Sequence, residues 1–291
     1  MQGSFRIGTI DGIGIRVHYT WLFAVVLIAW SLALGYFPNV AQGRGTIADW
    51  LLGIVAALLL FGSVLVHELG HSLVARARGL RVEDITLFIF GGVSSIAQEA
   101  TSAGDEFLVA VVGPLTSLAL AGICWVVGQL VPAGSVFAVL AGYLTFANLL
   151  LGLFNLLPGF PLDGGRALRA LLWAATGDMT RATRLSSYVG QAVAFGLIGW
   201  GVVEAVSGDV ADGVWIGFIG WFLNSAAEGS RRQLEVRRAP EGTPVTSVTQ
   251  PSGPIAAPGM SARDVIRAHA RESATSGRQQ FAERAQEKLP S

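Results

Sequence analysis

Residues 61–79 read FGSVLVHELGHSLVARARG, an apolar run of membrane type that carries two histidines and a glutamate. Residues four apart lie on the same face of an α-helix, so His67 and His71 can present two imidazole nitrogens to one metal ion. Glu68 would then lie beside the metal, where it can take a proton from water. Ionisable side chains inside a membrane are costly and usually functional. The stretch therefore predicts a membrane-spanning helix that carries a metal site.

The composition of the whole chain is that of a membrane protein. Of its 291 residues, 52% are hydrophobic and only 14% are charged, whereas soluble proteins carry about 25% charged residues. The formal net charge is zero and no basic stripe with interleaved aromatic residues occurs, so we expect no nucleic-acid partner. The one cysteine, Cys124, cannot form an internal disulfide and is interpreted as a packing residue.

Six apolar stretches are long enough to cross a bilayer, although the last of them is short. They are residues 21–37, 47–66, 107–131, 136–157, 188–206 and 214–227. Arginines occur before the first stretch and after the second, fourth and sixth, whereas the opposite loops hold only Arg44 among basic residues. By the positive-inside rule, we expect a multi-pass protein of the cell membrane with both termini in the cytoplasm.

The segment between the second and third spans predicts a short hairpin, or a strand with a bulge. Residues 80–98 read LRVEDITLFIFGGVSSIAQ, in which two glycines interrupt β-branched and aromatic residues. An open sheet edge cannot face lipid, so we expect the hairpin at membrane depth, inside protein or against a wet cavity. Two interpretations stay open. The segment is either a structural re-entrant loop or an edge that receives substrate as an added strand, through Phe90, Gly91, Gly92 and Val93.

The fourth span ends in NLLPGFPLDGGR, residues 155–166, where prolines and glycines stop the helix. A catalytic zinc site needs three protein ligands and an open fourth position. Asp163 is the best candidate for the third ligand because its loop lies at the cytoplasmic level of the two histidines. The rival carboxylates are those of Glu83, Asp84, Asp105 and Glu106.

Asn155 has two interpretations. Its amide could donate a hydrogen bond to an oxyanion or to a substrate carbonyl, or it could satisfy the backbone near Pro158.

These features predict an all-α polytopic membrane protein. Six transmembrane helices, with the membrane-depth hairpin between helices 2 and 3, form a domain of residues 1–230. Residues 231–291 form a polar cytoplasmic tail.

The chain resembles the site-2 protease family of intramembrane zinc metalloproteases. Its two main signatures are HExxH, matched by HELGH, and an Asn-x-x-Pro followed by Asp-Gly, matched by Asn155, Pro158, Asp163 and Gly164. Three further stretches are similar to family elements: Phe90-Gly91-Gly92, Gly113-Pro114, and IRVHYTW at residues 15–21. The last of these is similar to the start of the first span in the branch with C-terminal CBS domains. The resemblance covers residues 13–229.

The resemblance implies Zn²⁺ bound by His67, His71 and Asp163, with Glu68 as general base and acid and Asn155 assisting the substrate or the tetrahedral intermediate. It implies regulated intramembrane proteolysis of single-pass membrane proteins, such as anti-sigma factors or other membrane-tethered regulators. Ser117 stands where relatives often carry asparagine, and we assign it no role. The tail resembles only the start of a CBS module, so we expect the module to be incomplete and without nucleotide sensing.

Two alternatives remain open. A zinc or cation transporter usually spreads its ionisable ligands over several spans and has internal repeats, whereas here the candidate ligands lie in one helix and one loop. An HExxH membrane protease of the prenyl-protein type would need a glutamate ligand in a later helix.

Overall fold

A computed structural model describes residues 3–40, 45–89, 91–96, 100–159 and 162–238. The chain divides into two units, residues 1–230 and 231–291. Only residues 231–238 of the second unit are described. Phe90 and the part of the tail from residue 239 onward, on which the expected CBS resemblance falls, lie outside the described residues.

The described residues form four strands and eight α-helices. The strands are β1 (Ser4–Ile10), β2 (Ile13–His18), β3 (Val82–Phe88) and β4 (Gly91–Ile96). The helices are α1 (Thr20–Ser31), α2 (Phe37–Val40), α3 (Thr46–Ala77), α4 (Ala103–Leu130), α5 (Val136–Asn155), α6 (Asp163–Thr176), α7 (Met179–Ser207) and α8 (Val210–Arg238). A π-helical turn, Leu32–Tyr36, makes α1 and α2 one continuous segment.

Five helical segments of the described chain are long and apolar enough to cross a membrane. They are Thr20–Val40, Thr46–Ala77, Ala103–Leu130, Val136–Asn155 and Met179–Ser207. Many of their large apolar side chains are exposed, as expected where lipid covers the surface. The predicted sixth span, residues 214–227, lies in α8, whose short apolar run holds Asn224 and follows Asp212. The count of six spans is therefore not confirmed.

The four strands form one sheet in the order β1-β2-β3-β4, so the description all-α needs correction. Antiparallel pairs at both ends flank a parallel β2–β3 pair. Strand β2 precedes the first span, where the sequence analysis names no strand, and its Ile13, Ile15 and Val17 side chains are buried on one face of the sheet. The first two pack against Leu65 and Leu69 of α3, which fixes the sheet on the helix that carries HELGH.

A glycine allows α1 and α3 to approach closely. A Cβ atom at Gly53 would lie 2.5 Å from the carbonyl oxygen of Ala29 and 3.3 Å from the Cβ of Ala33. Gly62, further along α3, has nothing within 4 Å of such an atom. The two glycines therefore differ in packing although they share one helix.

We expect Gly53→Ala to lower the free energy of unfolding by about 1–3 kcal/mol, because overpacking a close helix contact forces the backbones apart. Gly62→Ala is the matched control and should be neutral or stabilising by up to about 1 kcal/mol, since alanine favours helix. Unfolding of the purified proteins in detergent measures both, and equal stability of the two variants would contradict this packing.

Candidate metal centre

Three side chains from two helices converge on one point. His67 and His71 lie one turn apart on α3, and Asp163 is the first residue of α6. Asp163 Oδ2 lies 3.2 Å from His67 Nε2 and 3.1 Å from His71 Nε2. The two Nε2 atoms are 3.2 Å apart. The structure thus brings together the three residues that the sequence analysis named as metal ligands.

Three of the four rival carboxylates form ion pairs away from the histidines. Asp84, Asp105 and Glu106 form ion pairs with Arg16, Arg78 and Arg169, respectively. Glu83 is exposed on β3. Among the described residues, only Asp163 joins the histidine pair in a cluster of potential metal ligands.

Hydrogen bonds at the far side of each ring orient the histidines. His71 Nδ1 lies 2.6 Å from the carbonyl oxygen of Val109, and His67 Nδ1 lies 2.8 Å from Ser117 Oγ. A carbonyl only accepts, so the proton of a neutral His71 is on Nδ1 and its Nε2 presents a lone pair. That lone pair faces a carboxylate oxygen, which also only accepts when ionised. The centre therefore requires a positive charge between the three atoms.

A zinc ion fits this triangle. Ligand atoms about 2.0–2.1 Å from a tetrahedral zinc ion lie about 3.3 Å from one another, and the observed separations are 3.1–3.2 Å. Two imidazole nitrogens and one carboxylate oxygen form a donor set typical of catalytic zinc, with a fourth position left for water or substrate. Both histidines are 3% exposed, which keeps the site away from bulk solvent.

The Asp163 carboxylate is charged in this setting. Burial by itself raises the pKa of this group, but an imidazolium at His67 or His71, which donates a hydrogen bond to the carboxylate when no metal is bound, lowers the pKa well below the ordinary value of an aspartate. The carboxylate is therefore ionised at neutral pH, as a metal ligand must be.

Helix α4 makes room for the centre and orients it. Gly113 lies against His71, and a Cβ atom at this position would overlap the imidazole ring. Ser117, to which the sequence assigns no role, is fully buried and contacts His67. Val109, Gly113 and Ser117 are spaced four residues apart. This helical periodicity is the signal from which α4 could have been recognised as the partner of the histidine face.

Glu68 is held by strand β4. Ser94 Oγ donates a hydrogen bond to Glu68 Oε2 at 2.7 Å, and Ser72 Oγ donates to Ser94 Oγ at 3.2 Å. Gly92 also packs on Glu68, since a Cβ atom there would lie 2.5 Å from Glu68 Cγ. The predicted substrate strand therefore touches the predicted general base. Neither Ser72 nor Ser94 was singled out from the sequence.

The remaining predicted site residues are Asn155, Gly91 and Val93. Asn155 Nδ2 donates to the Leu151 carbonyl at 2.9 Å, which is the backbone-satisfying contact weighed as its alternative interpretation. One N–H of its amide remains for another acceptor. Gly91 and Val93 lie at the start of β4, and Val93 is 41% exposed.

Comparisons with known proteins find zinc metalloproteases. The model of peptidase family M50 matches residues 55–142 and 129–197. Rip3 of Mycobacterium tuberculosis, named as a candidate zinc metalloprotease, is 40% identical over 262 residues, which cover 89% of this chain and 66% of Rip3. A candidate zinc metalloprotease of Synechocystis is 36% identical over 266 residues, covering 91% of this chain and 69% of that protein. This chain thus spans about two thirds of the length of both relatives.

The fold has a solved counterpart. The site-2 protease from Methanocaldococcus jannaschii matches with a TM-score of 0.52 and 28% sequence identity, over 78% of this chain and 95% of that one. None of these similarities favours the cation transporter. With sequence, fold and the donor set in agreement, this chain belongs to peptidase family M50, the zinc metalloproteases that include the site-2 proteases.

Proposed function

We propose that this chain is an intramembrane protease that cleaves the transmembrane segment of a single-pass membrane protein. The supporting observation is the triangle of His67, His71 and Asp163, built on a membrane-spanning helix and flanked by an edge strand. Membrane-tethered regulators such as anti-sigma factors are the substrate class implied by the family resemblance.

The chemistry divides between the three ligands and Glu68. A zinc ion held by His67, His71 and Asp163 would polarise the scissile carbonyl and lower the pKa of water toward neutrality. Glu68 takes the proton from the attacking water and returns it to the leaving amide nitrogen. Ser94 keeps the Glu68 carboxylate in place. Asn155 offers its remaining N–H to the oxyanion.

Strand β4 is the proposed substrate site. It lies at the end of the described sheet, so one of its edges has no strand partner among the described residues. A helical substrate hides its backbone, and an unwound segment can pair with this edge by main-chain hydrogen bonds. Such a peptide lies beside Glu68 because Gly92 packs on that residue. Gly91, Val93 and, by resemblance alone, Phe90 complete the proposed site.

Asp163→Ala should weaken zinc binding by more than about 100-fold, since loss of an outer-shell partner alone costs 10–100-fold. Metal content and competition with a chelator measure this on the purified chain. Asp178→Ala is the control, because it also removes a carboxylate but one outside the candidate ligand cluster. Asp178 instead caps α7 through Thr180 and Arg181. Unchanged zinc affinity of Asp163→Ala would remove Asp163 from the ligand set.

Glu68→Gln should keep its zinc and lose cleavage by about 10²–10⁴-fold, because the amide cannot accept the proton. Comparison of the membrane proteomes of cells with the wild type and with Glu68→Gln identifies proteins cut only by the former. Their turnover by the purified proteins then gives the rate. A variant that cleaves them at the wild-type rate rules out Glu68 as the base.

Ser94→Ala should lower kcat about tenfold with unchanged zinc content, because one hydrogen bond of about 1.4 kcal/mol to the base is lost. Ser95→Ala is the matched control, since Ser95 is the exposed neighbour on the same strand. Equal kcat values for the two variants would contradict the role of Ser94.

The finer topology is also a proposal: six spans, with α8 as the sixth and both termini in the cytoplasm. Helices α7 and α8 pack backbone against backbone, since a Cβ atom at Gly201 would lie 2.6 Å from the Gly213 carbonyl oxygen and 2.7 Å from the Gly217 nitrogen. Trp215 and Trp221 of α8 are more than half exposed, as lipid-facing side chains are.

A reporter fused after Gly229 should therefore be cytoplasmic, and one fused after Ser207 should be on the opposite side. Green fluorescent protein fluoresces in the cytoplasm and alkaline phosphatase is active outside it. Phosphatase activity of the Gly229 fusion would show that α8 does not cross the membrane.

The assignment to the branch with CBS domains rests on sequence resemblance alone. We propose that residues 231–291 form a separate cytoplasmic segment related to the beginning of a CBS module.

A further inference from the structure

A buried ion pair joins α4 to α6 and has no part in the chemistry proposed above. Glu106, in the first turn of α4, is 1% exposed, and the Arg169 side chain of α6 is 14% exposed. Arg169 Nε donates to Glu106 Oε1 at 2.7 Å, and an Nη atom of the same guanidinium donates to the same oxygen. Glu106 Oε2 is buried and accepts no hydrogen bond from the described residues. The buried carboxylate therefore depends on Arg169.

The position of α6 decides where Asp163 lies. Asp163 is the first residue of this helix, and the segment before it is broken by prolines. Arg169 follows six residues later, about 9 Å along the helix axis. Helix α6 also packs on α4 and α7, and an anchor at Arg169 restrains its position against α4 and with it the position of the Asp163 carboxylate.

The partner helix is the one that orients the histidines. Val109 and Ser117 of α4 hold His71 and His67 by hydrogen bonds, and Glu106 lies one turn before Val109. One helix thus contacts both imidazole rings and the helix that supplies the carboxylate. A buried ion pair contributes little net stability, but it constrains geometry because a misplaced partner leaves an uncompensated charge.

We propose that Arg169 is a positioning residue of the metal centre, which holds α6 on Glu106 so that Asp163 meets His67 and His71. This inference rests on the proposed ligand set. A purely structural ion pair would stabilise the fold without a specific effect on the Asp163 ligand. The two roles differ in how Arg169 couples to Asp163 in zinc binding.

The test measures zinc affinity of the purified full chain by competition with a chelator, after folding of each apo-protein is checked. Arg169→Gln and Glu106→Gln should each bind zinc 10–100-fold more weakly, as for loss of an outer-shell partner. The double variant should bind zinc no more weakly than the single variant with the lower affinity, because both changes break the same contact. Asp105→Asn is the matched control. It removes the neighbouring carboxylate, which pairs with Arg78 at 3.3 Å, and should leave the affinity unchanged.

The decisive comparison uses Asp163→Ala as background. There, Arg169→Gln should change the residual affinity by less than about twofold, because the ligand that it positions is gone. Wild-type affinity of folded Arg169→Gln and Glu106→Gln overturns the proposal. An equal loss of zinc affinity from Arg169→Gln in the wild-type and Asp163→Ala backgrounds also overturns it. If Arg169→Gln does not fold, Arg169→Lys carries the same comparison, since it keeps the charge and loses the planar pair of donors.

Loss of the ligand set and loss of the positioning role give different results. If the Asp163→Ala single variant binds zinc with wild-type affinity, Asp163 is not a ligand and the proposed ligand set is wrong. If Asp163→Ala binds zinc more weakly and Arg169→Gln binds it as the wild type does, only the positioning role of Arg169 is removed.

Discussion

The three ligand atoms of the metal centre carry lone pairs that repel one another unless a cation lies between them. Two imidazole nitrogens and a carboxylate oxygen lie 3.1–3.2 Å apart at the face of a membrane-spanning helix. Such a cluster is costly without a cation, and costlier where little water can enter. The surrounding elements supply what the cluster needs: room beside Gly113, acceptors for the outer ring nitrogens and a fixed direction for Asp163.

Two separate frameworks hold the two parts of the active centre. Helix α4 orients the two candidate histidine ligands, whereas the sheet holds Glu68, the proposed base, because β4 contacts Glu68 through Ser94 and Gly92. The sheet is anchored in turn on α3, by the buried face of β2 and by the ion pair between Arg76 and Asp11. If substrate pairs with β4 as proposed, it contacts the strand that holds Glu68, and substrate binding is then linked to the geometry of proton transfer.

The parts that could be predicted from the sequence are those set by local spacing. HELGH places two imidazoles on one helix face whatever the rest of the chain does. Six apolar runs predict six spans, of which five are helices long and apolar enough to cross a membrane among the described residues. The parts that were missed depend on partners distant in sequence. Strand β2 pairs with β3 some 70 residues later, as in the register of Ile15 with Ile85. The sequence around Glu106 predicts a solvated charge, whereas in the structure α6 brings Arg169 into an ion pair with it. The contact of Ser117 with His67 is visible only in the folded structure, because the two residues are 50 positions apart in the sequence.

Zinc K-edge X-ray absorption of the purified full chain shows which atoms bind the metal. We expect a four-coordinate zinc ion whose shell contains two imidazole nitrogens, with oxygen from a carboxylate and from water. A shell without two imidazoles, or a six-coordinate shell of oxygen alone, would contradict a metal centre built from His67, His71 and Asp163.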